Sequence, residues 1–183
     1  PEVYGSTKGK IKENFNFYPS TPYAISRASF DMHLKAYFNA YNFPIIFTRA
    51  ANVFGPSQQL YRIVPKTICY FKKGKKISLH GGGTSKRSFI HILDVADALY
   101  KISKKGKTGH TYHISTNQII SIKNLVNEIS KIMHIDFKNN VRVEDERLGK
   151  DYNYNLDSSK LINELKWKNK IDLKQGICEV ISW

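Results

Sequence analysis

The sequence predicts an α/β protein, and three observations carry that prediction. Short apolar runs alternate along the chain with longer segments punctuated like helices. Ile122, Leu125, Val126, Ile129, Ile132 and Met133 recur at the helical period and form one apolar stripe. Phe43 to Thr48 is a continuous apolar run of the kind that buried parallel strands show.

In chain order, Glu2 to Gly5 reads as the end of a strand entering a loop. Residues 6–20, polar and rich in Lys, Asn and Gly, continue that loop to a proline at Pro19. A helix is predicted from Pro22 to Tyr41. Thr21 serves as N-cap and Pro22 occupies the first helical position, where a missing N–H costs nothing. The strand at 43–48 leads into a polar loop from Arg49 to Pro56. Ile63 to Lys73 reads as a helix, Lys76 to His80 as a strand, Gly81-Gly82-Gly83 as a turn, and Phe89 to Ile92 as a strand. Asp94 is expected to cap a helix reaching about Ser103, and Thr111 to Ser115 forms a strand. Ser121 caps the striped helix at 122–133, and Val141 to Val143 is a further strand. Helices from Asp157 to Leu165 and from Leu173 to Trp183 complete the chain, with no internal repeat.

The chain has 183 residues, 41% of them hydrophobic and 13% aromatic, enough for a folded core rather than a disordered segment. No apolar run approaches the roughly 18 residues of a membrane span. The start, Pro-Glu-Val-Tyr-Gly, has no initiator Met and none of the features of a signal peptide, so the chain reads as a piece of a longer protein. Cys69 and Cys178 match no metal spacing and fit a reducing, cytoplasmic setting. The net charge of +14 raises the possibility of nucleic-acid binding. Against this, the lysines are dispersed. The densest groups, Lys72-Lys73-Gly74-Lys75-Lys76 and Lys104-Lys105-Gly106-Lys107, look like helix ends, where lysine complements the helix dipole. An anionic small substrate such as a nucleotide suits the same charge.

Tyr23 and Arg27 stand one helical turn apart, on the same face of the predicted helix. A phenol titrates near pH ~10, and a fixed positive charge beside it favours the phenolate. The pair is therefore a candidate general base, although an aromatic–cation contact on a helix surface is the commoner meaning of this spacing.

Several stretches together resemble the nucleotide-sugar dehydratase/epimerase branch of the extended short-chain dehydrogenase/reductases, and most of all the dTDP-glucose 4,6-dehydratases. They are Glu-Val-Tyr-Gly at 2–5, Pro-Tyr-Ala-Ile-Ser-Arg at 22–27, Arg-Ala-Ala-Asn-Val-Phe-Gly-Pro at 49–56 and Arg-Ser-Phe-Ile-His-Ile-Leu-Asp-Val-Ala at 87–96. Thr-Tyr-His-Ile at 111–114, Glu-Arg-Leu-Gly-Lys-Asp at 146–151 and Tyr-Asn-Leu-Asp-Ser-Ser-Lys at 154–160 follow in order. The resemblance implies the C-terminal part of a Rossmann-type NAD-binding fold within residues 1–75. It implies a small α/β substrate-binding domain over 76–183, with segments crossing between the two. The Gly-rich dinucleotide fingerprint is absent, because Gly81-Gly82-Gly83 lacks both its spacing and its strand-to-helix setting. This chain alone is therefore expected not to turn over.

By the same resemblance, Tyr23 takes the proton of the sugar C4 hydroxyl while NAD accepts the hydride, and Glu2 removes the C5 proton before water leaves across C5–C6. Arg27 stands where the family usually has Lys, keeping the charge but not a proton relay. Pro1 stands where dTDP-glucose dehydratases carry an acid, so a decarboxylase or 4-epimerase of the same family is the alternative; epimerases usually lack an acid at the position of Glu2. Asn52, Arg87, Arg147 and Lys150 are expected to hold the diphosphate of a nucleotide-diphosphate sugar, and His80 to lie beside its base. His91 reads as a buried structural histidine. A homodimer built partly on the Pro22 helix is expected. A reading of another class is a non-catalytic sugar-nucleotide binder.

Overall fold

A computed structural model of the chain describes residues 2–149 and 151–183. Its elements are α1 (Pro22–Tyr41), β1 (Phe47–Ala50), β2 (Asn52–Phe54), α2 (Ile63–Lys72), β3 (Ile77–His80), β4 (Lys86–His91), α3 (Ile92–Lys105) and β5 (Thr111–Ile114). There follow β6 (Ile119–Ser121), α4 (Ile122–Ile132), β7 (Val141–Glu144), β8 (Asn153–Tyr154), α5 (Ser159–Leu165) and α6 (Leu173–Ser182). The architecture is α/β with mostly parallel pairing. β1 pairs with β5, and β3 with β7. Strand β4 is the hub: its first half pairs with β6 antiparallel and β8 parallel, and its second half pairs with β2.

Most helices form where local chemistry dictates. Thr21 Oγ1 accepts from the Ala24 N–H at 3.1 Å ahead of Pro22, and Ser121 accepts from the Asn124 N–H. Four local expectations are corrected. Glu2 to Gly5 is a turn, closed by Gly5 N–H donating to the Glu2 carbonyl, with no strand partner among the described residues. The strand expected at 43–48 begins only at Phe47, where its partner Thr111 begins, and Pro44 has no N–H to offer a ladder. Arg49 and Ala50 belong to that strand, and Asn52 to Phe54 to β2, rather than to a loop. Asp94 is not the cap of α3. His91 Nδ1 accepts from Leu93 N–H, while the Asp94 carboxylate accepts from the Lys170 and Ile171 N–H groups at 2.9 and 3.1 Å. The short strands β6 and β8 have no pattern of their own; they exist because β4 offers free edges.

The main core packs α2, α4 and α6 on β2, β3 and β4 through Phe54, Ile68, Phe71, Leu79, Phe89, Leu125 and Ile177. Gly176 permits α6 to approach, since a Cβ there would lie 2.7 Å from Phe54 Cζ. A second core joins α3 and α5 to β1, β4 and β5 through Ile90, Val95, Ala98, Tyr112, Ile114, Leu161 and Trp167. A third, smaller cluster holds Val3, Tyr4, Ala28, Tyr154 and Leu156.

Arg49 joins that cluster to the rest of the fold. Its side chain is almost fully buried. Nε and Nη2 donate to Asp31 Oδ2 on α1 at 3.0 and 2.8 Å, and Nη1 donates to the Tyr4 hydroxyl at 2.6 Å. The rings of Tyr4, Phe15 and Phe17 surround the guanidinium at 5.0–5.2 Å. The Tyr4 hydroxyl in turn lies 2.9 Å from His113 Nε2 on β5. Burial, reinforced by the charge of Arg49, pushes His113 down to about 3.

Breaking a buried ion pair from one side leaves an uncompensated charge, so Arg49→Met should cost about 3–5 kcal/mol in urea unfolding. His113 has a folded pKa below its unfolded value of about 6.5, so the folded state binds fewer protons between them. Its contribution is complete above pH ~6.5 and is lost as pH falls toward 3, by up to about 5 kcal/mol. His113→Gln should flatten the decline of unfolding free energy across that window.

Candidate active site

A cavity of about 840 Å³ opens between the small cluster and the main core. Its walls include Glu2, Tyr23, Asn52, His80, Arg87 and Arg147, drawn from segments far apart in sequence. Glu2 arrives on the N-terminal turn, fixed by Tyr18 N–H donating to the Val3 carbonyl at 3.0 Å. Tyr23 sits in the first turn of α1, is 60% exposed and lines the cavity. Arg27 follows one turn later on the exposed flank of α1 and does not line the cavity. Asn52 opens β2, opposite Phe89 of β4.

Arg87 is a buried cation of β4. Nη1 donates to the Lys86 carbonyl at 2.8 Å and Nη2 to the Asp151 carbonyl at 2.5 Å. A guanidinium has five N–H donors, so further donors remain for a ligand. Burial lowers its pKa, while the charges of Glu2 and Asp151 act in the opposite sense. Arg147 lies on the loop after β7, with Nη2 2.8 Å from His80 Nε2. That loop passes over Gly81, whose φ of +57° and closeness to the Glu146 carboxylate leave no room for a Cβ. Lys150, expected to join these donors, lies outside the described residues, as does Pro1.

Some residues of the cavity escape sequence reasoning. Arg62 and Lys66 line it from the start of α2, adding positive charge, and Tyr61 and Gln58 line it from the preceding loop. Only the cations before and inside the α2 pattern hinted at them. Tyr154 is the other omission. Its side chain lines the cavity, while its hydroxyl is buried and makes no hydrogen bond to protein. Burial, then the neighbouring Tyr4 and the Glu2 carboxylate, raise its pKa, so it stays a neutral donor. Among the described lining residues Glu2 is the sole carboxylate. The cavity therefore combines one carboxylate, a phenol and several cations, which suits an anionic ligand.

His91, read as structural, is buried with Nε2 3.3 Å from the Glu179 carboxylate. No helix among the described residues is long and apolar enough to cross a membrane.

Residues 1–115 match the NAD dependent epimerase/dehydratase family. The chain belongs to that family. A dTDP-D-glucose 4,6-dehydratase of Bos taurus is 34% identical over 188 residues, covering 100% of this chain and 53% of that protein. A trifunctional UDP-glucose 4,6-dehydratase/UDP-4-keto-6-deoxy-D-glucose 3,5-epimerase/UDP-4-keto-L-rhamnose-reductase of Arabidopsis thaliana is 32% identical over 186 residues, covering 100% of this chain and 28% of that protein. The crystal structure of DesIV, a dTDP-glucose 4,6-dehydratase of Streptomyces venezuelae with NAD and TYD bound, superposes with a TM-score of 0.95 at 28% identity, covering 100% of this chain and 56% of that one. The chain spans about half the length of these dTDP-glucose dehydratases and a smaller share of the trifunctional protein.

Removing a buried hydroxyl that has no partner costs no hydrogen bond. Tyr154→Phe should therefore leave unfolding free energy unchanged or raise it by about 1 kcal/mol. Tyr112→Phe, which loses a 3.0 Å bond to Glu164, should lower it. Thermal and urea unfolding of the two variants separate these outcomes.

Proposed function

We propose that this chain supplies the sugar-nucleotide side of a nucleotide-sugar 4,6-dehydratase. The observation that carries this reading is the convergence of Glu2 and Tyr23 with Arg87 and Arg147 on one cavity. The exposed phenol of Tyr23, with the Arg27 cation one turn along α1, fits the edge of a nicotinamide ribose. NAD, when bound, supplies the hydride acceptor and donor.

Each residue then has a task. Arg87 and Arg147 hold the diphosphate through charge-assisted hydrogen bonds, which a planar guanidinium makes in pairs. Lys150 joins them, Asn52 donates beside them, and His80 flanks the base. Tyr23 takes the proton of the C4 hydroxyl as C4 is oxidised, and Arg27, one turn along α1, supplies a fixed positive charge without accepting a proton. With C4 a ketone, the C5 proton is acidic: Glu2 takes it, the protonated carboxyl returns it to the departing C6 hydroxyl so that water leaves, and hydride delivered to C6 with a solvent proton at C5 completes the 4-keto-6-deoxy product.

The resemblance divides the chain near residue 75, with residues 1–75 mainly nucleotide-binding and 76–183 mainly substrate-binding; the two larger cores each draw on both sides of that boundary, α2 packing with α4 and α6, and α3 and β5 crossing back to β1. Ile25, Phe30, Met32, Tyr37 and Tyr41 of α1 are exposed, which supports a homodimer built partly on this helix. Two free cysteines and the use of a nucleotide sugar support a cytoplasmic setting.

With NAD and a panel of dTDP-, UDP-, GDP- and CDP-hexoses, the whole protein should give a product lighter by one water in mass spectrometry. Loss of carbon dioxide from a hexuronate instead makes it a decarboxylase. Glu2→Gln and Tyr23→Phe should each lower turnover by about 10²–10⁴-fold while dTDP affinity holds. Variants with unchanged turnover overturn the assignments.

A further inference from the structure

Arg147 has a partner that constrains more than its own position. A guanidinium only donates and does not deprotonate in proteins. At 2.8 Å, His80 Nε2 must therefore accept from Arg147 Nη2, and the ring proton must sit on Nδ1. Nδ1 faces Glu144 Oε2 at 3.5 Å. Glu144 is itself fixed, because its Oε1 accepts from Ser78 Oγ at 2.7 Å and lies 2.8 Å from Arg142 Nε. Arg142 Nε also donates to Ser78 Oγ at 2.9 Å.

The β3–β7 ladder builds this arrangement. Ser78 stands opposite Arg142 and His80 opposite Glu144, two residues on, while Ile77 and Leu79 point into the core. All four polar side chains thus share one face of a parallel pair, beside the mouth of the cavity that His80 and Ser78 line. The Ser78 hydrogen bond lowers the Glu144 pKa, so the carboxylate stays charged at neutral pH.

We propose that Glu144 is a positioning residue: it holds His80 in the Nδ1–H tautomer, and His80 thereby aims Arg147 at the diphosphate of the bound nucleotide. Resting on the reading of Arg147 as a diphosphate donor, the relay makes affinity depend on a carboxylate that touches no ligand. Without the carboxylate, the Nε2–H tautomer becomes accessible. It sets two donors face to face and drives Arg147 off its perch.

The test is a double-mutant cycle read by calorimetric titration of dTDP and UDP into the whole protein. Arg147→Ala should weaken binding roughly tenfold. Glu144→Ala should weaken it about threefold to fivefold, and Glu144→Gln by less than about twofold, because an amide oxygen still presents partial negative charge to Nδ1–H. In the Arg147→Ala background, Glu144→Ala should add nothing. Additive losses, or a Glu144→Ala variant that binds normally, overturn the relay and leave the diphosphate reading standing. An Arg147→Ala variant that binds normally overturns both. Nitrogen-15 imidazole spectra of the unmutated protein need no variant to fold: they should report His80 as the Nδ1–H tautomer, and an Nε2–H signature refutes the proposal.

Discussion

The buried Arg49 guanidinium is the constraint on which the rest of the arrangement depends. It ties three segments: Asp31 on α1, the Tyr4 hydroxyl on the N-terminal turn, and its own strand β1 beside His113 of β5. An isolated charge at that depth is prohibitively costly, and here the aromatic rings and the carboxylate offset its desolvation together. The consequence for the cavity is direct. Glu2 lies two residues before Tyr4, and Tyr23 lies two turns before Asp31 on the same helix. The relative placement of the carboxylate and the phenol is inherited from a salt bridge that touches neither.

The other wall of the cavity depends on β4. Because this strand pairs with β2 along one half and with β6 and β8 along the other, it brings Asn52, Arg87 and Tyr154 to one place. The N-terminal loop reinforces the junction, with Thr7 N–H donating to the Asn153 carbonyl and Ile11 N–H to the Asn155 carbonyl. Residues at the two ends of the sequence thus share one small sheet edge. A base near residue 2 and a hydroxyl near residue 154 become neighbours without either segment forming an extended element of its own.

The long periodic elements were legible in the sequence. The bounds of α1 follow from Thr21 and Pro22 at its start, and the apolar stripe of α4 from its period; both signals are local. The short strands were not. β6 and β8 are three and two residues long, too short for any alternation, and exist by pairing with β4. Arg49 misleads for a related reason. A charged residue before Ala-Ala-Asn reads as loop, and only Asp31 and Tyr4, distant in sequence, make it a buried strand residue. For the cavity, residues inside the resembling motifs could be named in advance: Glu2, Tyr23, Asn52, Arg87 and Arg147 all line it. Arg62 and Lys66 could not, because nothing local distinguishes a cation at a cavity wall from one in solvent; Tyr154 opens the stretch at 154–160, but its burial beside Arg87 depends on the pairing of β8 with β4.

The choice of cation inside the cavity follows from the same burial. Desolvation pulls the pKa of any buried cation downward, and for Arg87 this is the leading effect. A guanidinium starts above pH 12 and stays charged through such a shift, whereas an ammonium starts near 10.4 and is carried toward neutrality. The two carbonyls that accept from Arg87 also need a planar, divergent set of donors, one toward Lys86 and one toward Asp151. A lysine at this depth would satisfy fewer of these acceptors and hold its charge less securely. The buried wall of this cavity is therefore a place for arginine.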